Sequence, residues 1–233
     1  MNTAVIIAGG SGTRTGQSVP KQFLTIYDTP IIVYTMKRIE EVEDIDEIVV
    51  VCAKGWENFI HHYAKQYGIT KLTAVVEGGS IAHESIYNAI KHLENAHAED
   101  DLVGIFDANR PMVQKNMIID CYASAKEHGA ALTVEPCYDS MFFCHGDGFI
   151  GSSTDRDLLF KGQRPETARL GLLSDAYARS MKDEIFNLSP SALLLHYGKK
   201  VAAVRGSAKN IKITTEEDFD IFRAILNAEK VNN

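Results

Sequence analysis

Glycine and cationic residues crowd one stretch near the start of the chain. Gly9, Gly10, Gly12 and Gly16 are interleaved with Ser11, Thr13 and Thr15, and Arg14 and Lys21 lie among and after them. Glycine admits positive φ and lets main chain approach a ligand closely, so successive N–H groups can converge on phosphate oxygens. Arg14 and Lys21 add the charge that a polyphosphate needs. Two common phosphate loops fail by spacing. A Walker A loop needs Gly-x4-Gly-Lys-Ser/Thr, but Gly16 is followed by Gln17. The dinucleotide pattern Gly-x-Gly-x-x-Gly, started at Gly10, meets Thr15 where its third glycine belongs. Elsewhere, Gly78 and Gly79 can bring main chain up to the flat edge of a base, with Ser80 and Ser85 supplying hydroxyls. A third polar group, Asp107 to Arg110, closes an apolar run that starts at Leu102.

These three segments need a scaffold that ends its strands along one edge. Apolar runs alternating with helical patterning predict βαβ units. Strands are expected at 4–8, 48–51, 73–76, 102–106, 131–134 and 201–204. Helices are expected through about residue 39, at 56–67, 80–93, 117–128 and 170–181, after Ser189-Pro190, and at 216–228. Thr29 is expected to cap the first helix, with Pro30 in its first turn. Thr214 and Glu217 match a capping box for the last. Residues 137–162 break the pattern with glycines, aromatics and short alternating runs, and read as a hairpin-like arm. The fold class is therefore α/β: a Rossmann-like, mostly parallel sheet flanked by helices, with a protruding β-arm. Such sheets bind ligands at the carboxyl ends of their strands, where all three polar segments fall.

Composition narrows the function further. The 233 residues are 45% hydrophobic and 24% charged, ordinary for a packed globular chain. No apolar run reaches membrane-spanning length, and residues 1–10 lack a signal peptide's basic start and cleavage site, so a cytoplasmic protein with no membrane partner is expected. Cys52, Cys121, Cys137 and Cys144 are scattered without a CxxC pair, which points to free thiols and no zinc. A net charge of −7 argues against nucleic acid as a partner. It leaves room for a small nucleotide in a locally cationic cleft.

Three motifs together carry a resemblance: Ala8-Gly9-Gly10 with Gly12-Thr13-Arg14, then Pro20-Lys21-Gln22-Phe23-Leu24, then Asn210-Ile211-Lys212 before Thr214. They resemble the cytidylyltransferases acting on methylerythritol phosphate and ribitol phosphate, nucleotidyltransferases of the glycosyltransferase-A-like fold. The likeness spans nearly the whole chain and implies a single nucleotidyltransferase domain, 1–233, with the arm inserted at about 137–162. It implies nucleotide contacts from Ala8, Gly9, Gly10, Ser11 and Gly12, and cytosine recognition by Gly79, Ser80 and Ser85. Arg14, Lys21 and Lys212 would be catalytic, Lys212 on the α-phosphate. Asp107 would hold Mg²⁺ with help from Asn210, and Arg110 would meet the acceptor phosphate. Ser140 and Arg169 are the remaining acceptor candidates, and a homodimer through the arm is implied.

Several positions depart from the family pattern. Ala82 stands where relatives usually carry Arg, Phe106 where they carry His, and Asp139-Ser140 where they carry Asp-Thr. Gln163-Arg164-Pro165-Glu166 replaces Gln-Thr-Pro-Gln, and Arg169 lies one position before the expected arginine. The implied reaction joins CTP to a small polyol phosphate and releases pyrophosphate, with ribitol 5-phosphate favoured. Methylerythritol, glycerol or arabinitol phosphate are alternatives, and a non-catalytic nucleotide-binding relative is a reading of a different class. Teichoic-acid or capsule precursor synthesis is the implied setting, with isoprenoid synthesis attached to the methylerythritol alternative. A phosphomonoester has a second pKa near 6, so the attacking oxygen is already ionised at neutral pH and no general base is called for. The demand is for cations that bring two polyanions together.

Overall fold

Runs of Val and Ile without polar alternation make strands buried on both faces, as parallel sheets require. The computed structural model, which describes residues 1–9 and 19–231, shows this directly. Along the chain run β1 (Asn2–Ala8), the short β2 (Thr25–Ile26) and β3 (Thr29–Pro30), α1 (Ile31–Glu40), β4 (Glu47–Cys52), α2 (Glu57–Tyr67) and β5 (Leu72–Glu77). Then come α3 (Ala82–Leu93), β6 (Leu102–Asp107), α4 (Lys115–His128), β7 (Ala130–Pro136), β8 (Met141–Cys144), β9 (Ile150–Thr154) and β10 (Phe160–Arg169). The chain closes with α5 (Leu170–Asp183), α6 (Pro190–His196), β11 (Ala202–Arg205) and α7 (Glu216–Val231). Every residue of β4 and β6 is buried.

The main sheet has the order β11-β7-β10-β6-β1-β4-β5. β10 runs antiparallel to both neighbours; the other pairings in this sheet are parallel. Alternate β1 residues feed two cores. Ala4 and Ile6 pack with Met36 of α1, Ile60 of α2 and Ile118 of α4. Val5 packs on the opposite face with Ile90 of α3, Leu173 of α5 and Leu193 of α6. A third cluster, including Ile213, Phe222 and Leu226, seats α7 against the segment before it.

Two expected caps are corrected. Thr29 does not cap α1, because it pairs with Ile26 across a turn at Tyr27 and Asp28, whose φ values are 48° and 59°. Pro30 takes the N-cap position without a side-chain bond. Before α7 the capping carboxylate is Asp218 rather than Glu217. It accepts from the main-chain N–H of Thr214 and Thr215 and from the Thr214 hydroxyl, at 2.6–2.8 Å. Ser189 does cap α6, accepting from Ala192 N.

The arm reduces to the hairpin of β8 and β9, which pair only with each other. Residues 160–162, expected within it, belong to the main sheet, where they pair with 134–136 of β7. Tyr138, Phe142, Phe143 and Phe149 are all more than half exposed. No helix among the described residues is long and apolar enough to cross a membrane.

Candidate active site

Parallel strands deliver their carboxyl ends to one edge, and the site is assembled there. β1 ends at Ala8, β4 at Cys52, β5 at Glu77 and β6 at Asp107. Of the expected site residues, Gly10, Ser11, Gly12 and Arg14 lie outside the described residues. The rest can be placed.

On one side of the edge the organiser is a hydroxyl. Ser85, buried in the first turns of α3, accepts the Gly79 N–H at 3.1 Å and donates to the Ile81 carbonyl at 3.1 Å. A Cβ on Gly9 would sit 3.0 Å from the same oxygen, and one on Gly78 would sit 3.1 Å from it and 3.2 Å from the Cys52 carbonyl. Glycine at the ends of β1 and β5 is therefore what lets three strand termini close around one serine. Ser80 is occupied locally: its N–H and hydroxyl both meet the Glu84 carboxylate at 2.6 Å, satisfying the start of α3. Gln22, buried behind Lys21, donates to the Ala8 carbonyl at 2.5 Å.

On the other side the organiser is a carboxylate. Asp107 Oδ2 lies 3.0 Å from Arg110 Nε and 3.1 Å from Lys212 Nζ, and Oδ1 lies 3.3 Å from Arg164 Nε. Burial by itself would raise the Asp107 pKa. Arg164, Lys212 and Arg110 outweigh it and hold the carboxyl well below its usual range. Carboxylates keep Arg164 protonated in turn: burial opposes its charge, and Glu166 and Asp107 more than restore it. Lys212 is 45% exposed, against 11% for Asp107 and 14% for Arg164, so Lys212 is the cation free to turn to a ligand.

Main-chain staples fix this group. Asn109 Nδ2 donates to the Ile213 carbonyl at 2.6 Å and Ile213 N returns the bond at 2.9 Å. Arg110 Nη1 donates to the Asn210 carbonyl at 2.7 Å. Asn210 Nδ2 donates to the Arg164 carbonyl at 2.9 Å, and Gln163 brackets Ser207 through both ends of its amide. Between the two sides opens a cleft of about 440 Å³, lined by Ala8, Lys21, Ala82, Asp107, Asn109 and Lys212 among others.

A divalent cation finds one hard ligand here. Asp107 Oδ1 accepts a single, long bond and has capacity left, which suits Mg²⁺ held mainly by substrate phosphates and water. Asn210 fits less well than expected. Its Oδ1 lacks a partner among the described residues, yet the residue is fully buried and its amide serves as a staple. Its Nδ2 positions the site through the Arg164 carbonyl, and its Oδ1 is the oxygen that the expected metal role would use. No three His, Cys, Asp or Glu side chains gather elsewhere among the described residues.

Two acceptor candidates fall outside the group. Arg169 pairs in register with Leu102, at the far end of β6 from Asp107, and bonds Asp100 on the surface. Ser140 is exposed at the root of the arm. The residues that sequence reasoning left out are Arg164 and Glu166. Their replacement of neutral family residues was visible, but the register that brings Arg164 to Asp107 was not.

The family model for 2-C-methyl-D-erythritol 4-phosphate cytidylyltransferase (IspD) matches residues 2–228. A ribitol-5-phosphate cytidylyltransferase of Lacticaseibacillus paracasei is 33% identical over 234 residues, covering 99% of this chain and 100% of the relative. A 2-C-methyl-D-erythritol 4-phosphate cytidylyltransferase of Clostridium novyi is 32% identical over 226 residues, covering 97% and 96%. Among solved structures, the Francisella tularensis 2-C-methyl-D-erythritol 4-phosphate cytidylyltransferase superposes with a TM-score of 0.80 at 26% identity, covering 96% of this chain and 99% of that one. The 4-diphosphocytidyl-2C-methyl-D-erythritol synthase of Anaerococcus prevotii gives 0.82 at 23% identity, covering 97% and 98%, and speaks to the fold alone.

Proposed function

The chain belongs to the 2-C-methyl-D-erythritol 4-phosphate cytidylyltransferase family, and from that premise we propose that it transfers a cytidylyl group from CTP to a small polyol phosphate, releasing pyrophosphate. Ribitol 5-phosphate is the favoured acceptor, since relatives 33% identical along essentially the whole chain carry that name. The observation that carries the reading is the convergence of Arg110, Arg164 and Lys212 on Asp107, at the rim of a cleft that Lys21 also lines.

The arrangement performs the reaction by charge placement. The acceptor phosphate arrives ionised and attacks the α-phosphorus of CTP in line with the departing pyrophosphate. Lys212, half exposed and tethered at Asp107, turns its ammonium to the α-phosphate. Lys21 neutralises the triphosphate from the opposite wall, with Arg14 adding to it. Arg110, fixed by Asp107 and the Asn210 carbonyl, holds the acceptor phosphate. Cytosine is read on the Gly79 and Ser85 side, where main-chain groups stand close to the strand ends. When bound, Mg²⁺ supplies further positive charge to the phosphate oxygens, with Asp107 as its protein ligand.

The arm gives a reason to expect a homodimer. Tyr138, Phe142, Phe143 and Phe149 each stand more than half exposed on it, and grouped exposed apolar side chains mark interaction surfaces. The working compartment proposed is the cytoplasm, where four free thiols are at home.

Pyrophosphate release from CTP with ribitol, methylerythritol, glycerol and arabinitol phosphates tests the function. Fastest turnover with ribitol 5-phosphate is expected. Preference for methylerythritol phosphate would transfer the chain to the other branch, whose members are 31–32% identical. CTP binding without pyrophosphate release from any acceptor would leave a nucleotide-binding protein that is not an enzyme.

A further inference from the structure

Arg164 stands out because two carboxylates hold it. It sits on β10 where the pairing with β7 shifts register between Gly162 and Glu166, and such irregularities re-aim side chains. Its Nε donates to Asp107 Oδ1 at 3.3 Å and its Nη1 to Glu166 Oε1. Glu166 is buried, and its other oxygen takes the Ser191 N–H at 2.6 Å and the Ser189 hydroxyl at 3.2 Å. The guanidinium is thus anchored through Glu166 to the start of α6 and through Asp107 to the end of β6. Its third nitrogen, Nη2, hydrogen-bonds to no described residue and is not among the enclosed polar atoms.

Charge decides what such a group can do. Glu166 by itself balances the Arg164 charge, and Asp107 is shared with Arg110 and Lys212, so Arg164 makes a poor magnet for a phosphate. It remains a rigid, planar hydrogen-bond donor. Lys21, Arg110 and Lys212 are the cations better placed for anions.

Resting on the cytidylyltransferase reading above, we propose that Arg164, held in place by Glu166, is the specificity-determining residue for the acceptor. It donates hydrogen bonds to the hydroxyls of a polyol chain while the neighbouring cations hold its phosphate. A site that must hydrogen-bond a hydroxyl rejects the analogue lacking it, because the donor is left unpaired once the bound molecule covers it. The acceptor class is therefore a polyol phosphate with a hydroxyl within reach of Arg164.

The test measures kcat/KM for the polyol phosphate that the wild type turns over best, and for analogues each lacking one hydroxyl. Wild type is expected to discriminate against at least one analogue by about 100-fold or more. Arg164→Thr alone strands the Glu166 carboxylate in the interior, so it is combined with Glu166→Gln. The double variant should fold, keep its KM for CTP within about threefold, raise the acceptor KM, and discriminate by less than about tenfold. Arg164→Lys keeps the charge beside Glu166 and loses the planar fork, and should lose discrimination in the same direction. Wild-type discrimination retained in either folded variant would overturn the proposal, as would equal losses for CTP and acceptor. A wild-type protein that releases no pyrophosphate with any polyol phosphate would instead overturn the function on which the proposal rests.

Discussion

The two walls of the cleft use different materials for the same purpose. Around Ser85 the wall is main chain and small side chains: Gly9, Gly78 and Gly79 close on one hydroxyl, and no ion pair among the described residues takes part. Around Asp107 it is ionised side chains, three cations against Asp107 and a second carboxylate behind Arg164. A flat, neutral base is recognised by shape and by main-chain hydrogen bonds, which tolerate little change in backbone position. Phosphates are recognised by charge, and charges can be arranged in more than one way. The difference suggests that one wall is bound to a fixed ligand and the other can be retuned to a new acceptor.

The largest effect should come from the two lysines that line the cleft. Lys212→Ala and Lys21→Ala are each expected to lower kcat by about 10²–10³, roughly 3–4 kcal/mol of transition-state stabilisation, while circular dichroism and thermal midpoint stay near wild type. Near-normal turnover in both would remove the charge-based account. On the neutral wall the expected effect is smaller and of another kind. Ser85→Ala removes a buried acceptor from Gly79 N, a loss of about 1–3 kcal/mol. It should appear as a higher KM for CTP with the acceptor KM unchanged. Should the acceptor KM move instead, the two walls are not separate.

The pH profile sharpens the contrast with the smallest signal. Asp107 has a depressed pKa, so its contribution to stability is complete above its unfolded value of about 4 and is lost only as pH falls through the folded value. It stays ionised across any practical assay range. The acid limb of acceptor kcat/KM should therefore break near pH 6, where the substrate phosphate takes a proton. A phosphonate analogue, with its higher second pKa, should move that break upward. A break indifferent to the acceptor would assign it to the protein.

The same contrast explains how much of the molecule is legible in its sequence. The buried strands and amphipathic helices were legible, because apolar periodicity is a local property of the chain. Ser189-Pro190 was legible as a helix start for the same reason. The 214–218 segment showed its limit: a carboxylate was due in the first turn, but local pattern could not choose Glu217 over Asp218. β10 was missed over 163–169 because Gly162, Arg164, Pro165 and Glu166 interrupt any strand pattern. The strand exists because β6 and β7 flank it. Once it was missed, Arg164 could not be brought to Asp107, nor could Arg169 be recognised as sitting at the opposite end of the same strand. The glycine and lysine segments were legible because each concentrates its chemistry in a few consecutive residues. Arg164 and Glu166 draw theirs from positions 57 and 25 residues away.

The reciprocal bonds between Asn109 and Ile213 have a consequence for the size of acceptor that the enzyme can use. They lock the lysine-bearing strip to the strand that bears the aspartate, so Lys212 and Asp107 stand together as one fixed edge of the pocket. The pocket then acts as a fixed gauge. A chain one carbon too long or too short would still bind by its phosphate, with its attacking oxygen held off the line of the departing pyrophosphate.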